Sequence, residues 1–207
     1  SGYAELIETG IAKPEDVPDF GRKIHSEATR MIQLVNDILQ LSKLDTVSET
    51  GDTPVMETVD LLEVAKEWVE RQKLNARRAY ISLTYLGESA LVLGSRALLD
   101  ELCQNLCDNA IRYNRPGGKV QIITTCNRDG HCSLTVADNG IGIPREAQAS
   151  VFERFYRVDK SRSKATGGTG LGLSIVKHAA MYHGGKVALE SEPGRGTEIR
   201  VTLPKEH

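Results

Sequence analysis

Helix-like and strand-like segments alternate through most of this sequence, and that alternation limits the fold more than any other feature. After residue 54 the hydrophobic pattern predicts helices over 61–78, 96–114 and 171–183. Strand-like segments lie at 55–59, 81–86, 90–93, 120–126 and 132–137, and a last hairpin turns at 193–196. Three helices and about six strands in this order predict an α+β fold, a two-layer sandwich with a mixed sheet and the three helices on one face.

A long amphipathic helix is predicted ahead of the sandwich, over residues 15–45. Five apolar residues recur at alternating steps of four and three, the heptad spacing of packed helices: Ile24, Ala28, Met31, Val35 and Ile38. The apolar stripe is wider than a solvent-facing helix needs, so we expect a partial helical hairpin over 1–45 that is completed by dimerisation. Residues 46–54, rich in Ser, Thr, Gly and Asp, predict a linker, and 55–207 predict the sandwich domain.

Composition and charge exclude several function classes. The 26 Lys and Arg residues nearly balance 28 Asp and Glu residues, which argues against a nucleic-acid-binding protein. No apolar run approaches the roughly 18 to 20 residues of a membrane-spanning helix, so the sequence predicts a soluble chain. The cysteines, Cys103, Cys107, Cys126 and Cys132, form no CxxC pair. We interpret them as buried thiols without a disulfide framework, as in a reducing compartment.

The predicted helix over 96–114 has one apolar and one unusual polar face. Projection at about 100° per residue places five polar side chains within one arc: Glu101, Asn105, Asp108, Asn109 and Arg112. A solvated surface is one interpretation of such a face. However, asparagine is unfavourable inside helices, and here two lie one turn apart. A carboxylate, an amide oxygen and a guanidinium together suit a hard cation and a phosphate. The face therefore predicts a Mg-nucleotide site.

Two glycine motifs add to this hypothesis. Asp138-Asn-Gly140-Ile-Gly142 follows a strand, so its acid could accept a hydrogen bond from an exocyclic amine, although a simple Asx turn is the alternative. The segment 167–172, Gly-Gly-Thr-Gly-Leu-Gly, opens a helix and predicts an anion site. Its spacing is neither that of a P-loop nor that of a dinucleotide fingerprint. Residues 153–167 between the motifs hold five basic and two acidic side chains and predict a basic lid over phosphates, with a solvated loop as the alternative.

In this order and spacing, these motifs resemble the N, G1, F and G2 boxes of sensor histidine kinases. The motifs are Glu101-x-x-x-Asn105-x-x-x-Asn109-Ala-x-Arg112-Tyr113, Asp138-x-Gly140-x-Gly142, Phe152-Glu-Arg-Phe-Tyr-Arg157 and Gly168-Thr-Gly-Leu-Gly172. The helix end at 36–45 similarly resembles the second helix of that family's dimerisation and phosphoacceptor domain. The resemblance covers essentially the whole chain and implies a Bergerat-type ATP-binding fold after the hairpin.

The resemblance also implies a role for each site residue. Asn105 would coordinate Mg²⁺, and Glu101, a possible second metal ligand, would orient or deprotonate the attacking imidazole. Asp138 would hold the adenine amino group. The other residues that it places around ATP are Asn109, Arg112, Tyr113, Gly140, Gly142, Ile143, Arg157, Lys160, Gly168, Thr169, Gly170, Leu171 and Gly172. Arg112 stands where many members carry Lys, which keeps the charge but changes the donor geometry.

The sequence departs from the family at the phosphoacceptor. Members carry a His followed by Glu, with a nearby Pro, and none of the five histidines has that context. His25 would lie in the second helix, so we expect the chain, which begins at Ser1, to be cut beyond the acceptor and not to phosphorylate itself.

The resemblance implies partners and a location as well. It implies a histidine kinase fragment, the cytoplasmic portion of a dimeric, membrane-anchored bacterial sensor that relays phosphate to a response-regulator receiver domain. Two alternatives stay open, a nucleotide-binding regulatory module and a parent protein that is mainly a response-regulator phosphatase. The presence of Glu101 and Asn105 favours the enzyme.

Overall fold

The N-terminal part of the chain is a helical hairpin. The computed structural model describes residues 2–50, 54–158 and 168–206, with the side chains of 40 and 43–50 left aside. Helix α1 (Gly2–Glu8) turns at Gly10 into helix α2 (Val17–Thr50). The Tyr3 and Phe20 rings, 5.0 Å apart between centroids, pack the two helices together. None of the helices in these described ranges is both long enough and apolar enough to cross a membrane.

The remainder is the predicted α+β sandwich. Its elements in chain order are β1 (Glu57–Asp60), α3 (Leu61–Arg78), β2 (Ser82–Gly87), β3 (Leu91–Gly94), α4 (Arg96–Arg112), β4 (Lys119–Cys126), β5 (His131–Asp138), α5 (Gly172–Tyr182), β6 (Lys186–Glu192) and β7 (Gly196–Pro204). Five strands form one sheet in the order β2-β4-β5-β7-β6, in which only β2 and β4 are parallel. Strands β1 and β3 form a separate antiparallel pair.

The helices α3, α4 and α5 pack in one layer against the sheet. Strands β4 and β5 turn alternate side chains such as Ile122 and Leu134 into the core, where they meet Leu102 and Leu106 of α4. The carboxylate of Asp60 caps α3 by accepting from the backbone N of Leu62 at 2.9 Å, and it also accepts from the N of Ala90 at 2.9 Å. This packing fixes α4, with its polar face, on the sheet.

The predicted linker is shorter than expected, because α2 continues to Thr50. Residues 46–50 contain neither Gly nor Pro, so nothing in their backbone chemistry ends the helix there, and the Ser and Thr content misled the prediction. Residues 51–53 lie outside the described residues.

The prediction that all four cysteines are free thiols is wrong for one pair. Cys126 of β4 and Cys132 of β5 stand directly opposite each other and form a disulfide, while Cys103 and Cys107 are free and buried. The residues that face each other across a hairpin depend on its register, which the spacing of cysteines in the sequence does not show. The inference of a reducing compartment from the cysteines therefore loses its basis.

Candidate functional site

Helix α4, which carries the polar face, is held at its N-terminus by His183, the residue that follows the C-terminal end of α5. Ser95 precedes the helix without a side-chain cap, and its backbone N donates instead to Nε2 of His183 at 2.9 Å. His183 is buried, and its Nδ1 lies 2.6 Å from the carbonyl oxygen of Ala179, so Nδ1 carries the proton. Burial lowers the pKa of His183, although the Ala179 contact opposes the shift. A neutral imidazole thus links α5 to the start of α4.

The glycine loop before α5 closes directly on the two asparagines of α4. A Cβ placed on Gly172 would lie 2.7 Å from Oδ1 of Asn105 and 3.7 Å from Nδ2 of Asn109. Asn105 donates its Nδ2 to the carbonyl oxygen of Glu101 at 3.0 Å, which leaves Oδ1 turned towards the loop as an acceptor. The fold therefore brings the polar face of α4 and the glycine loop to one place, as the motif hypothesis expected.

The same loop borders the C-terminal end of α4. A Cβ on Gly168 would lie 3.2 Å from the Tyr113 hydroxyl and 3.3 Å from Nη1 of Arg112. Gly168 itself is buried, and Tyr113 forms the C-cap of α4. An aromatic ring and a guanidinium therefore stand beside backbone amides at a helix N-terminus, a combination that suits a base next to phosphates.

Asp138 ends β5 with its carboxylate half-buried. The backbone N of Gly140 donates to its Oδ1 at 2.7 Å, the pattern of an Asx turn. Burial raises the pKa of Asp138, and hydrogen bonds from the backbone of Gly140 and Thr197 oppose that shift. The backbone of Tyr113 packs against this turn, since a Cβ on Gly140 would lie 2.5 Å from the carbonyl oxygen of Tyr113. The structure thus shows the Asx turn that the sequence left open, and the acceptor role of Asp138 stays a prediction.

The β6–β7 hairpin supports the Asp138 loop from the other side. Gly142 adopts φ +69° with its missing Cβ only 2.1 Å from the carbonyl oxygen of Glu192. Ile143 donates its backbone N to Oγ of Ser191 at 2.8 Å. Gln148 then donates its amide Nε2 to the carbonyl oxygens of both Ile143 and Ser191 at 2.9 Å. Side chains from two segments therefore fix the loop that carries Asp138.

A second clamp on this loop comes from Arg115. Its Nη2 donates to the carbonyl oxygens of Asn139 and Gly194, each at 3.0 Å. Neither Arg115, Ser191 nor Gln148 was predicted as a site residue. The motif pattern contains no signal for them, because they bond backbone N–H and carbonyl groups, which every segment offers.

The basic segment adjoins the glycine loop and includes the cation Arg157. Arg157 is half-buried, and its Nε and Nη2 have no hydrogen-bond partner among the described residues. Phe155 takes φ +63° and donates its backbone N to the carbonyl oxygen of Gly170 at 2.9 Å, which joins this segment to the glycine loop. Lys160 and the rest of 159–167, which include most of the predicted lid and Gly167, lie outside the described residues.

A cleft of about 360 Å³ separates α2 from α4, and its lining is acidic. Asp37 lies on one wall, and Glu101, Asn105 and Asp108 lie on the other. Burial raises the pKa of Asp108, which accepts a hydrogen bond from Nε2 of Gln72 at 2.7 Å. Sequence reasoning placed Asp108 on the polar face but did not identify Asp37, since its position depends on how α2 packs.

The oxygen ligands around this cleft fit a magnesium ion that is shared with a phosphate chain. The described residues contain no group of three or more His, Cys, Asp or Glu side chains arranged to hold a metal on their own. Mg²⁺ usually takes only one or two protein oxygens together with substrate phosphates and waters. Oδ1 of Asn105, left as an acceptor beside the glycine loop, supplies such a ligand.

Comparisons with known proteins agree with this geometry. Residues 94–207 match the family model described as histidine kinase-, DNA gyrase B-, and HSP90-like ATPase, and residues 1–47 match that of the His Kinase A (phospho-acceptor) domain. The sensor-like histidine kinase SenX3 of Mycolicibacterium smegmatis is 38% identical over 206 residues, which are 99% of this chain and 53% of SenX3. The chain thus spans about half the length of this relative.

Solved structures show the same architecture. The mycobacterial sensor histidine kinase MprB is 34% identical, with a TM-score of 0.63 over 73% of this chain and 99% of the MprB chain. The histidine kinase ThkA, solved in complex with the response regulator protein TrrA, is 23% identical, with a TM-score of 0.76 over 99% of this chain and 56% of that chain, and at this identity it shows the fold alone. The chain belongs to the sensor histidine kinases, within the family of histidine kinase-, DNA gyrase B- and HSP90-like ATPases.

Proposed function

We propose that this chain binds Mg-ATP and is the catalytic part of a protein-histidine kinase. The observation that carries the proposal is the closure of the glycine loop on α4, with Gly172 against Asn105 and Gly168 against Arg112. These contacts bring backbone amides at a helix N-terminus beside an amide oxygen and a guanidinium, groups that suit phosphates and their metal ion. Asp138 is half-buried, and its loop packs against Tyr113 at the C-terminal end of α4. Its carboxylate would supply the acceptor for an adenine amino group.

The chemistry follows from charge and position. Phosphoryl transfer depends mainly on aligning donor and acceptor and on neutralising the phosphate oxygens. Arg112 and the partnerless nitrogens of Arg157 are the described cations that would neutralise them, with Lys160 as a further candidate. Asn105, with Glu101 as a candidate second ligand, would hold Mg²⁺, which would supply positive charge against the phosphates. Glu101 would also orient or deprotonate the attacking imidazole.

The remaining site residues would shape the nucleotide pocket. Tyr113 and Ile143 would contact the base, since one stands beside Gly168 and the other is bonded into the Asp138 loop. Asn109 would lie near the phosphates. The other ATP-binding residues, which would shape the site, are Gly140, Gly142, Gly168, Thr169, Gly170, Leu171 and Gly172.

We further propose the partners of a two-component kinase. The phosphoryl group would pass to a histidine that is not among the five of this sequence and then to a response-regulator aspartate. ThkA, which shares the fold, was solved with a response regulator. Several apolar side chains of α2 are exposed, including Met31 at 63% and Val35 at 54%, and a second copy of the hairpin would cover them. A cytoplasmic position beneath a membrane anchor belongs to the same proposal.

Asp138→Asn tests the nucleotide site. The Asn amide can still accept one hydrogen bond, but it carries no charge, and its NH₂ group is a second donor facing the adenine amine, which also donates. We therefore expect binding of a non-hydrolysable ATP analogue to fall below detection in calorimetry. Asp129→Asn is the matched control, because Asp129 lies in the exposed β4–β5 turn. Circular dichroism should show both variants folded. Unchanged affinity in Asp138→Asn would contradict the adenine contact.

Glu101→Gln separates a kinase from a regulatory module that only binds nucleotide. We expect nearly unchanged ATP affinity but loss of acid-labile, base-stable label on a phosphoacceptor hairpin supplied as a separate protein, because the amide cannot accept the imidazole proton. Equal labelling by the variant would remove Glu101 from the reaction. The chain alone should acquire no label, and label on His25 would contradict that expectation.

A further inference from the structure

Asp37 of α2 is bonded directly to the glycine loop. The carboxylate is 4% exposed, and its Oδ2 accepts from the Thr169 hydroxyl at 2.6 Å. Its Oδ1 accepts from Nε2 of Gln33, one turn earlier, at 2.7 Å. Leu34 and Leu41 of α2 pack with Leu171 and Ile175 beside this contact. The helical hairpin and the loop proposed to hold phosphate are therefore joined by a part-buried hydrogen bond next to an apolar cluster.

Asp37 already provides the anion at this end of α5. Oγ1 of Thr169 accepts from the backbone N of Leu171 at 3.3 Å, so its proton is given to Asp37. Helix N-termini favour negative charge, and here a carboxylate from another element supplies it. A phosphate that approached the loop would meet a charge of its own sign.

Among the described residues, no cation forms an ion pair with that carboxylate. The two hydrogen-bond donors to Asp37 are neutral. The cleft that it lines also contains Glu101 and Asp108. Mg-ATP keeps a net negative charge, so its phosphates in the adjacent loop would add negative charge to this acidic cleft, and the repulsion is less screened because the site is partly buried.

We propose that Asp37 is an affinity-determining residue that opposes nucleotide binding. It holds the Thr169 hydroxyl in the nucleotide-free loop, and bound ATP exchanges the Asp37–Thr169 hydrogen bond for one between Thr169 and a phosphate oxygen. The exchange breaks the bond between α2 and the glycine loop. ATP binding therefore weakens the docking of α2, and the docking of α2 weakens ATP binding. The inference rests on the proposed function, since it takes the glycine loop as the phosphate site.

Two other roles for Asp37 predict different signs. A carboxylate that helped Asn105 to hold Mg²⁺ would strengthen binding, so its neutralisation would weaken Mg-ATP affinity. If Asp37 had a purely structural role, its substitution would change the free energy of unfolding and leave the relative affinities for different nucleotides unchanged. Opposition by charge predicts tighter binding on neutralisation, and more so for each added phosphate.

The experiment measures affinity for adenosine, ADP and a non-hydrolysable ATP analogue, each with Mg²⁺, in calorimetry. We expect Asp37→Asn to tighten binding of the ATP analogue about three- to tenfold, that of ADP by less, and that of adenosine hardly at all. Asp19→Asn, which removes an exposed carboxylate from the same helix, should change none of the three. A second variant, Asp37→Ser, is expected to act in the same direction, so a folding defect of one variant does not decide the result.

Weaker or equal ATP affinity in a folded Asp37 variant would overturn the proposal, as would an equal change for adenosine and ATP. Asp138→Asn in the same assay keeps this outcome distinct from failure of the proposed function. If Asp138→Asn abolishes binding and Asp37→Asn does not tighten it, only the role of Asp37 fails. If Asp138→Asn binds like the unchanged protein, the nucleotide site itself is misplaced.

Discussion

The two loops of the candidate site are held in different ways: the Asp138 loop, proposed to contact the base and here called the base side, and the glycine loop before α5, proposed to contact the phosphates and here called the phosphate side. The Asp138 loop lies between the end of α4 and the β6–β7 hairpin, and its backbone is bonded by Ser191, Gln148 and Arg115. The glycine loop is bonded at Thr169 to α2, an element outside the sandwich. With the proposed assignment of the two loops, base recognition would depend on one domain alone, whereas phosphate binding would also depend on where the hairpin lies.

The largest expected effect tests the rigidity of the base side. In Gly196→Ala the new Cβ would lie 2.0 Å from the carbonyl oxygen of Asp138, at φ +120°. Backbone must move, so we expect the free energy of unfolding to fall by about 3 kcal/mol, measured by chemical denaturation. Gly194→Ala, at φ +81° in the same turn with no atom within 4 Å, should cost only about 1 kcal/mol. Equal losses would mean that the contact with Asp138 contributes nothing.

A glycine on the phosphate side should respond in the opposite way. The Cβ of Gly172→Ala would meet the end of a side chain, Oδ1 of Asn105 at 2.7 Å, and that side chain can rotate. We expect the free energy of unfolding to change by less than about 1 kcal/mol, since Ala favours the helix. Affinity for an ATP analogue should fall roughly tenfold, because Asn105 loses its orientation. A large stability loss with unchanged affinity would reverse the contrast between the two sides.

The smallest effect concerns the link between α5 and α4. His183 has a lowered pKa in the folded protein, so the unfolded chain binds the proton more readily. The contribution of neutral His183 to the free energy of unfolding is therefore complete above its unfolded pKa of about 6.5, and it is lost as the pH falls through its lower folded pKa. Denaturation midpoints should fall between about pH 7 and pH 5, by an amount equivalent to about 1 kcal/mol.

A matched variant isolates this histidine. His183→Gln keeps a side-chain acceptor for Ser95 but has no titrating group, so its stability should vary less over the same pH range. Equal pH dependence in both proteins would show that other groups cause it.

Much of the fold could be predicted, because its information is local. The structure confirms the helix at 61–78 to the residue, since Asp60 caps its start and a hydrophobic period runs through it. The helix predicted over 96–114 ends two residues earlier, at Arg112. Glycine spacing also located both loops of the site, because close backbone approach requires glycine at fixed positions.

The parts that could not be predicted depend on contacts between distant segments. Asp37 reaches Thr169 across 132 residues, and no local pattern distinguishes it from the other polar residues of α2. The Cys126–Cys132 bond requires the register of β4 against β5. Arg115 acts through two carbonyl oxygens, which every residue possesses. In each case the chemistry is visible in the sequence but the partner is not.

The pairing of β5 with β7 has a consequence for how this fold can vary. Asp138 lies opposite Thr197, and α5 packs beneath the sheet, so both ends of the connection over 139–171 are fixed by the fold and not by the connection itself. Closing a longer flexible loop costs only about 0.6 kcal/mol for each doubling of its length. Insertions and deletions in the basic segment after Phe155, beyond the bonded residues around Ile143 and Gln148, should therefore change the free energy of unfolding little and leave the sheet unchanged.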